Sequence, residues 1–579
     1  MRKKNILFCF RILASLIIIL LSISCNAVES LLHKSKRVLQ PLTLRLQVGN
    51  YYKDNLSKSF STYISSQHKG KSITKSMTKN SIIPRSKNFS EWYHSVIKEA
   101  NLAENSPVRG CMIIKPLGVG IWELIQKNLD YMIKETGHQN VYFPMLIPLS
   151  FFQKEAEHID GFAKECAVVT HYRLTKNKDG KLIPSPDAEL EPMIIRPTSE
   201  TMIGEAMSRW VKSYRDLPVK INQWCNVMRW ELRPRIFLRT SEFLWQEGHT
   251  AHSSQNEALV ETLTMLDTYE TFVQNYLAIP VIKGKKTQGE KFPGAVDTFT
   301  IETMMQDGKA VQAGTSHFLG QSFSKAYNIE FLDQYQNKQI AWTTSWGVST
   351  RLIGAIIMSH SDDNGLVLPP RIAPEQIRII PVINNEVDSE GILTLCDTIS
   401  NSLKNLKCFG ENIRVQVDKS HDKPAEKFWN AVIQGVPLRI EIGKREVASN
   451  YVTISQRNFE VKNRKSVKID DFIKNTPSLL EDIQLSLFEK ASLRMKNNIH
   501  TITSIPQMKS LFSDKNGEIN KFAIGFFDVS YESNSMFIDL LKELKVTPRC
   551  IPFNDQEDEG KCIFSGNITK TKVIFGVSY

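Results

Sequence analysis

Apolar residues recur at helical spacing through Trp122-Glu123-Leu124-Ile125-Gln126-Lys127-Asn128-Leu129-Asp130-Tyr131-Met132-Ile133, so the pattern predicts a helix there. Gly137 is placed to close it. Val141-Tyr142-Phe143-Pro144 then reads as a strand ended by proline, and Ile194-Ile195-Arg196 as another short strand. Met228–Glu231 and Phe243–Glu247 read as two strands joined by a polar loop rich in arginine (Arg233, Arg235, Arg239). Ser253–Gln274 is a long amphipathic helix, and Thr298–Glu302 and Gln339–Trp346 are further strands. Strands and long helices that do not alternate regularly predict an α+β domain on an antiparallel sheet.

Pro369–Pro374 reads as a linker. Beyond it the pattern becomes strand Ile377–Val382, helix Leu393–Leu406, strand Ile413–Val417, helix Ala425–Gln434 and strand Leu438–Ile442, a compact α/β domain. Ser478–Asn498 is a long helix, and the remainder to Tyr579 forms a third module. No internal repeat is visible.

Composition changes the picture mainly at the N-terminus. The chain of 579 residues carries a formal charge of +12. Residues 1–90 hold sixteen Lys or Arg against two acids, Glu29 and Asp54, so the rest of the chain sums to −2. Nucleic-acid contact by the folded part must therefore come from local patches. The basic start Met1–Asn5, the apolar run Ile12–Ser24 and the small residues after it predict a secretory signal over 1–25. The acid-poor, Ser/Lys/Thr/Asn-rich stretch 26–88 has the character of a transit peptide. In tandem they predict a plastid reached through the secretory route, apicoplast-like, with no membrane attachment of the mature form. The alternatives are the mitochondrion, or the cytoplasm from an internal start. Nine cysteines without a CxxC predict free thiols in a reducing compartment.

The candidate chemistry lies in Arg229-Trp230-Glu231, in Phe243–Gly248 and in Gly347-Val348-Ser349-Thr350-Arg351. Arg229 and Glu231, two apart on a predicted strand, would share a face. An arginine can hold a phosphate bidentately. Arg351 heads the apolar run Leu352–Met358, and an aromatic between the two arginines could stack a base. These are the parts of an ATP-activating site, and neither GxxxxGK[ST] nor GxGxxG after a strand is present. Each part alone has a plainer reading: a structural Arg–Glu ion pair, a satisfied core histidine at His317, core aromatics at Phe243 and Trp245.

In order along the chain these residues resemble a class II aminoacyl-tRNA synthetase, specifically the prolyl family of eukaryote/archaeal-like type, here in an organellar form. Helix 121–136 with Tyr142-Phe143-Pro144 resembles motif 1, Arg229–Glu247 motif 2, and Gly347–Arg351 motif 3. Arg196–Thr201 and Gly314–His317 resemble the proline-pocket loops, and Gly435–Ile440 the anticodon-binding domain. The resemblance implies a class II α+β catalytic domain over 89–370, an α/β anticodon-binding domain over 371–475 and a small α+β C-terminal domain over 476–579. It also implies L-proline, ATP with Mg2+, and tRNA(Pro) as ligands, and a homodimer built through motif 1.

By the same resemblance Arg229 holds the α-phosphate and the proline carboxylate, Glu231 the adenine edge, and Phe243 stacks the adenine. Arg351 covers the other face of the base and reaches the γ-phosphate. Arg239, Thr240, Gln312, Thr315 and Ser349 complete the nucleotide site, with Gln312 near the magnesium. Thr198, Glu200 and His317 hold the proline imino group and ring, and Trp245 walls the pocket. Lys444 and Arg445 are implied to touch tRNA. A catalytically silent, tRNA-binding relative is the alternative, and the intact set of these residues argues against it.

Two departures add expectations. Only about a hundred residues separate Glu247 from Gly347, too few for the editing domain of bacterial-type relatives. The C-terminal zinc ligands are missing around Phe526–Tyr531, and one thiolate, Cys562, cannot hold a tetrahedral zinc. A zinc on Cys225, His249 and His252 is disfavoured, because residues three apart on a strand face opposite sides.

Overall fold

The computed structural model describes residues 82–153, 165–185, 189–383, 389–513, 520–554 and 558–579. The expected signal (1–25) and residues 26–81 of the expected transit segment lie outside them. Residues 82–88 do not: Ile82 is buried, and the backbone N–H and Nε of Arg85 donate to Asp363 Oδ1 at 2.8 and 3.1 Å. The folded body therefore begins before the expected border at 89.

Helix α1 (Phe89–Glu99) is capped by Asn88, whose Oδ1 accepts from the Glu91 N–H. Helix α2 (Pro116–Glu135) starts earlier than its apolar pattern shows, because Pro116 suits a first helical position. It buries Ile121, Trp122, Ile125, Leu129 and Ile133 on one stripe. Gly137 ends it with φ +87, a conformation that disfavours a side chain.

The expected strand Val141–Pro144 is displaced: the ladder is formed by β1 (Gln139–Asn140), parallel to the next strand. Helix α3 (Glu200–Trp210) precedes β2 (Val219–Met228) and β3 (Glu242–His252). Helix α4 (Gln255–Leu277), β4 (Ile282–Lys285), β5 (Asp297–Met304), β6 (Ala310–Gly320), β7 (Trp342–Ser349) and α5 (Arg351–His360) complete the region. Strand β2 stops at Met228, so Arg229 and Glu231 are not on a strand, contrary to expectation. Beyond Met228, Trp230 N–H turns to the Glu165 carbonyl and Glu231 N–H to the Ser241 hydroxyl, and the regular ladder ends.

The expected linker Pro369–Pro374 contains a short 3-10 turn, Pro370–Ile372, with Pro370, Ile372 and Ala373 buried. After it come β8 (Ile377–Val382), α6 (Ser389–Lys404), β9 (Val415–Val417), α7 (Pro424–Ile433), β10 (Leu438–Gly443), α8 (Lys444–Ser449), β11 (Tyr451–Gln456) and β12 (Lys465–Lys468). Their five-stranded sheet has the order β9-β8-β10-β11-β12, parallel through β9-β8-β10 and antiparallel beyond. Arg457, 2% exposed, fixes this domain to the catalytic region with two hydrogen bonds to the Asp362 carboxylate, at 2.6 and 2.7 Å.

Helix α9 (Ile469–Asn497) runs through the expected border at 475. Pro477, which suggests a helix start, lies inside it. Strands β13 (Ile499–Thr501), β14 (Phe522–Phe526), β15 (Thr547–Pro552) and β16 (Lys572–Gly576) are not a separate sheet. They extend the catalytic one, whose order is β13-β14-β16-β15-β4-β5-β6-β7-β3-β2-β1. Gly284 of β4 makes the junction possible: a Cβ there would lie 2.4 Å from the Ile551 carbonyl oxygen. No described helix is long and apolar enough to cross a membrane.

Candidate functional site

The sheet presents its two faces to different partners. On β3 the odd positions Phe243, Trp245, Glu247 and His249 line a cavity of about 330 Å³. The even positions turn to α4, where Gln246 hydrogen-bonds with the Tyr269 hydroxyl. Gly248 lies under the Trp346 indole, and a Cβ there would meet the ring at 2.0 Å. Strands β6 and β7 add Gln312, Thr315, His317 and Ser349, and α5 adds Arg351. Thr198, Glu200 and Arg229 close one side. Ten of the sequence-derived residues thus share one chamber.

Arg229 Nε donates to the Pro197 carbonyl at 2.8 Å. Its guanidinium carbon lies 5.8 and 5.5 Å from the Phe243 and Trp245 ring centres. Those two rings meet edge to face, 6.2 Å apart. Burial pulls the Arg229 pKa down, and Glu200, Glu165 and Glu247 pull against it. Arg351 Nε donates to the Leu238 carbonyl at 3.3 Å. Burial and then repulsion from Arg229 and Arg239 lower its pKa to about 10, so it stays cationic at neutral pH. Two desolvated cations at one end of a chamber are poised for an anion.

The other end is built to hold a small charged molecule. Thr198 hydroxyl donates to Glu200, the first residue of α3. His317 Nδ1 lies 3.0 Å from the Thr298 hydroxyl, and its ring is 4.5 Å from that of Phe292. Burial, with His249 adding, lowers the His317 pKa to about 3, so the imidazole is neutral. Glu247 and His249 pair at 3.0 Å. Burial opposes the Glu247 charge, but His249, Ser199 and Gln223 outweigh it and hold the carboxyl below its ordinary value. His249 is correspondingly raised by Glu247 against the effect of burial.

Five expected residues stand apart from this chamber. Glu231 pairs with Arg239 Nε at 3.1 Å and accepts from the Arg233 N–H. Its position follows from the early end of β2. Arg239 lines a neighbouring chamber of about 360 Å³ that shares Gln312 and Arg351 with the first. Thr240 is buried beside it without lining either chamber. Lys444 and Arg445 are elsewhere, exposed at the start of α8 in the second domain.

Glu247, His249, Lys286 and Phe292 line the cavity without having been singled out as site residues. The signal available for the first two was their i, i+2 spacing, Glu247 ending the expected strand Phe243–Glu247 and His249 lying two residues beyond it. His249 faces Glu247, whereas His252 bonds Thr250, so the two histidines do serve opposite faces. The seven described cysteines are free thiols.

Known proteins match this architecture. The family model for the class II tRNA synthetase core domain (G, H, P, S and T) covers residues 183–360, and that for the anticodon binding domain covers 376–478. A proline–tRNA ligase of Bdellovibrio bacteriovorus is 52% identical over 504 residues, 87% of this chain and 100% of that protein. One from Protochlamydia amoebophila is 50% identical over 509 residues, 88% of this chain and 100% of its own length. The prolyl-tRNA synthetase of Cryptosporidium parvum complexed with L-proline and AMP superposes with a TM-score of 0.77 at 36% identity, covering 86% of this chain and 96% of that one. The same protein with halofuginone and AMPPNP gives 0.78 at 36% identity, over 86% and 99%.

Proposed function

The chain belongs to the prolyl-tRNA synthetases of class II and is a proline–tRNA ligase, and from that premise we propose how its own residues carry the reaction. The proline carboxylate attacks the α-phosphorus of ATP, an O–P bond forms, the bond to the β-phosphate oxygen breaks, and pyrophosphate leaves. A 3′-terminal ribose hydroxyl of tRNA(Pro) then attacks the activated carbonyl and AMP departs. Neither step needs a protein nucleophile; orientation and charge stabilisation suffice.

The observation that carries this reading is the convergence of Thr198, Glu200, Arg229, Trp245, His317 and Arg351 on one chamber. Thr198 and Glu200 hold the imino group, which is cationic at neutral pH. Neutral His317 accepts the ring without adding a repelling charge. Trp245 walls the pocket. Arg229, fixed between Pro197 and two rings, lies between the proline carboxylate and the α-phosphate. Phe243 stacks the adenine, and Thr315, Ser349 and Arg351 hold the nucleotide. Arg239, with Thr240 behind it, reaches the terminal phosphates from the adjoining chamber, while Glu231 meets the adenine edge once the nucleotide displaces Arg239 from it.

Magnesium fits sparingly. Gln312 offers a neutral amide oxygen, while Glu302, opposite it in the ladder, is taken by Lys286 and Arg549. A hard cation that keeps several waters and binds mostly phosphate oxygens suits such a site. When bound it neutralises charge on the leaving phosphates, and Gln312 is the residue that would hold it.

The finer reading is an organellar enzyme of the eukaryote/archaeal-like type. The short span between Glu247 and Gly347 supports the type, and the leader's composition supports a plastid. Tyr131 and Tyr142, 63% and 75% exposed on α2 and the segment after it, support a homodimer through that face. Proline-dependent ATP–pyrophosphate exchange tests the activity; exchange with another amino acid and none with proline defeats it. A fluorescent fusion of residues 1–90 tests the destination, and light scattering tests the dimer.

A further inference from the structure

We propose that Gln223 and Glu247 are positioning residues for proline, acting through the loop that carries Thr198 and Glu200. The inference rests on the placement of proline by that loop.

Glu247 lines the proline end of the chamber, but most of its acceptor capacity is already used. Its Oε1 accepts from Ser199 Oγ at 2.5 Å, from Gln223 Nε2 at 2.8 Å and from Cys225 Sγ at 3.6 Å. Its Oε2 faces His249 Nε2 at 3.0 Å. A carboxylate oxygen has about two lone-pair positions, so Oε1 is fully committed to this cluster, and Oε2, held by His249, keeps at most one position. Glu247, Ser199, Gln223 and His249 are all buried, at 3%, 1%, 1% and 5% exposure. Hydrogen bonds to an ionised group in such surroundings are short, strong and directional.

What this cluster holds is the backbone of the proline loop. Ser199 lies between Thr198 and Glu200, so fixing its side chain fixes the residues on either side of it. The loop is also gripped by its neighbours: the Pro197 carbonyl accepts from Arg229 Nε, and Arg196 Nη1 donates to the Phe143 carbonyl at 2.8 Å. Gln223 completes the frame, because its Oε1 accepts from the Phe143 N–H at 2.7 Å while its Nε2 reaches Glu247 and, at 3.4 Å, Ser199. Gln223 therefore ties the segment after β1 to the loop. Gln312 and Arg351, at the nucleotide end, make no hydrogen bond to this cluster among the described residues. Arg229, held by Pro197, is the one nucleotide contact beside the cluster, so the cluster should act on proline affinity far more than on nucleotide affinity.

Steady-state pyrophosphate exchange on full-length Ser199→Ala, Glu247→Gln and Gln223→Met, with Thr198→Ala as the reference, tests this. The expected result is a rise in KM for proline of about tenfold in each, the scale of one lost hydrogen bond to a buried charge, with KM for ATP within about twofold of the parent. Because Ser199 and Glu247 act through one bond, Ser199→Ala/Glu247→Gln should cost no more than Glu247→Gln alone. If Glu247→Gln fails to fold, Ser199→Ala, which removes a single hydroxyl, still decides. Additive losses, or equal rises in both KM values, overturn the positioning role. A Thr198→Ala variant with unchanged proline KM defeats the placement of proline itself. A raised KM there, with Ser199→Ala unchanged, defeats only the inference.

Discussion

The cavity floor and the tip of α8 both carry arginine, lysine and glutamate and treat them in opposite ways. At the cavity floor the charges are desolvated and fixed: Glu302 meets both Lys286 and Arg549, Glu247 meets four donors, and Arg229 is wedged between a carbonyl and two rings. At α8 the Arg445 side chain is 91% exposed, and its nearest acid, Glu446, is 4.0 Å away. Fixed dipoles and charges lower a barrier because they need no reorganisation when the transition state forms. Exposed, mobile cations suit a phosphate backbone, where the gain comes from neutralising charge and releasing counterions. The same residue types are therefore suited to bond making in one region and to grip in the other, according to burial.

The largest test of this contrast is at Arg229. Arg229→Ala removes a desolvated anion contact, and proline-dependent pyrophosphate exchange should fall on the order of 10²–10³. A loss below tenfold would place Arg229 outside the reacting centre.

Next is the joint between the regions. Asp362→Ala leaves the Arg457 guanidinium buried without its partner, and thermal or denaturant unfolding should show a loss of about 3 kcal/mol. Arg457 holds the Asp362 carboxyl below its ordinary value although burial pushes the other way. The pair's contribution is thus present above the ordinary Asp range near 4 and is lost as pH falls through the lower folded value. His317 adds a second acid-sensitive contribution. Its folded pKa of about 3 lies below the ordinary 6.5, so the unfolded chain binds the extra proton and stability rises with pH between those values. His317→Gln should reduce the slope of stability across that window, with the His252 and His360 contributions remaining.

At α8 the effect is smaller and selective. Lys444→Glu with Arg445→Glu should lower aminoacylation of tRNA about tenfold at moderate salt, with exchange nearly unchanged. Loss of both activities would mean misfolding. The smallest effect is expected at Cys562, whose sulfur accepts the Phe564 and Ser565 N–H groups at 3.4 Å. Cys562→Ser should cost about 1 kcal/mol, and metal analysis of the parent should give far less than one zinc per chain.

The legible parts of this molecule were those with local causes. The strand Phe243–Glu247, the apolar stripe of α2 and the strands and helices around β8 to β10 were readable from their own residues, while the roles of Phe243 and Trp245 came from the family resemblance. The end of β2 was not, because it depends on Glu165 and Ser241, which capture backbone groups from elsewhere in the chain. The Glu247 cluster is illegible in the sequence for a similar reason: a buried glutamate looks like any charged residue until Ser199 and Gln223 are brought to it. The expected helix Ser478–Asn498 starts too late, because α9 runs through Pro477 and tolerance of proline in a long helix is set by surroundings rather than by the residue. The joining of β4 to β15 has no local signature beyond Gly284.

That joint carries a consequence for the making of the protein. Strand β4 leaves the ribosome roughly 260 residues ahead of β15, its partner. At ordinary elongation rates the interval is on the order of tens of seconds. Throughout it the catalytic sheet has an open edge, and open edges invite pairing with other chains. Strands β13 to β16 therefore act as the seal on a sheet begun long before, and until they pair, the edge at β4 stays open to other chains.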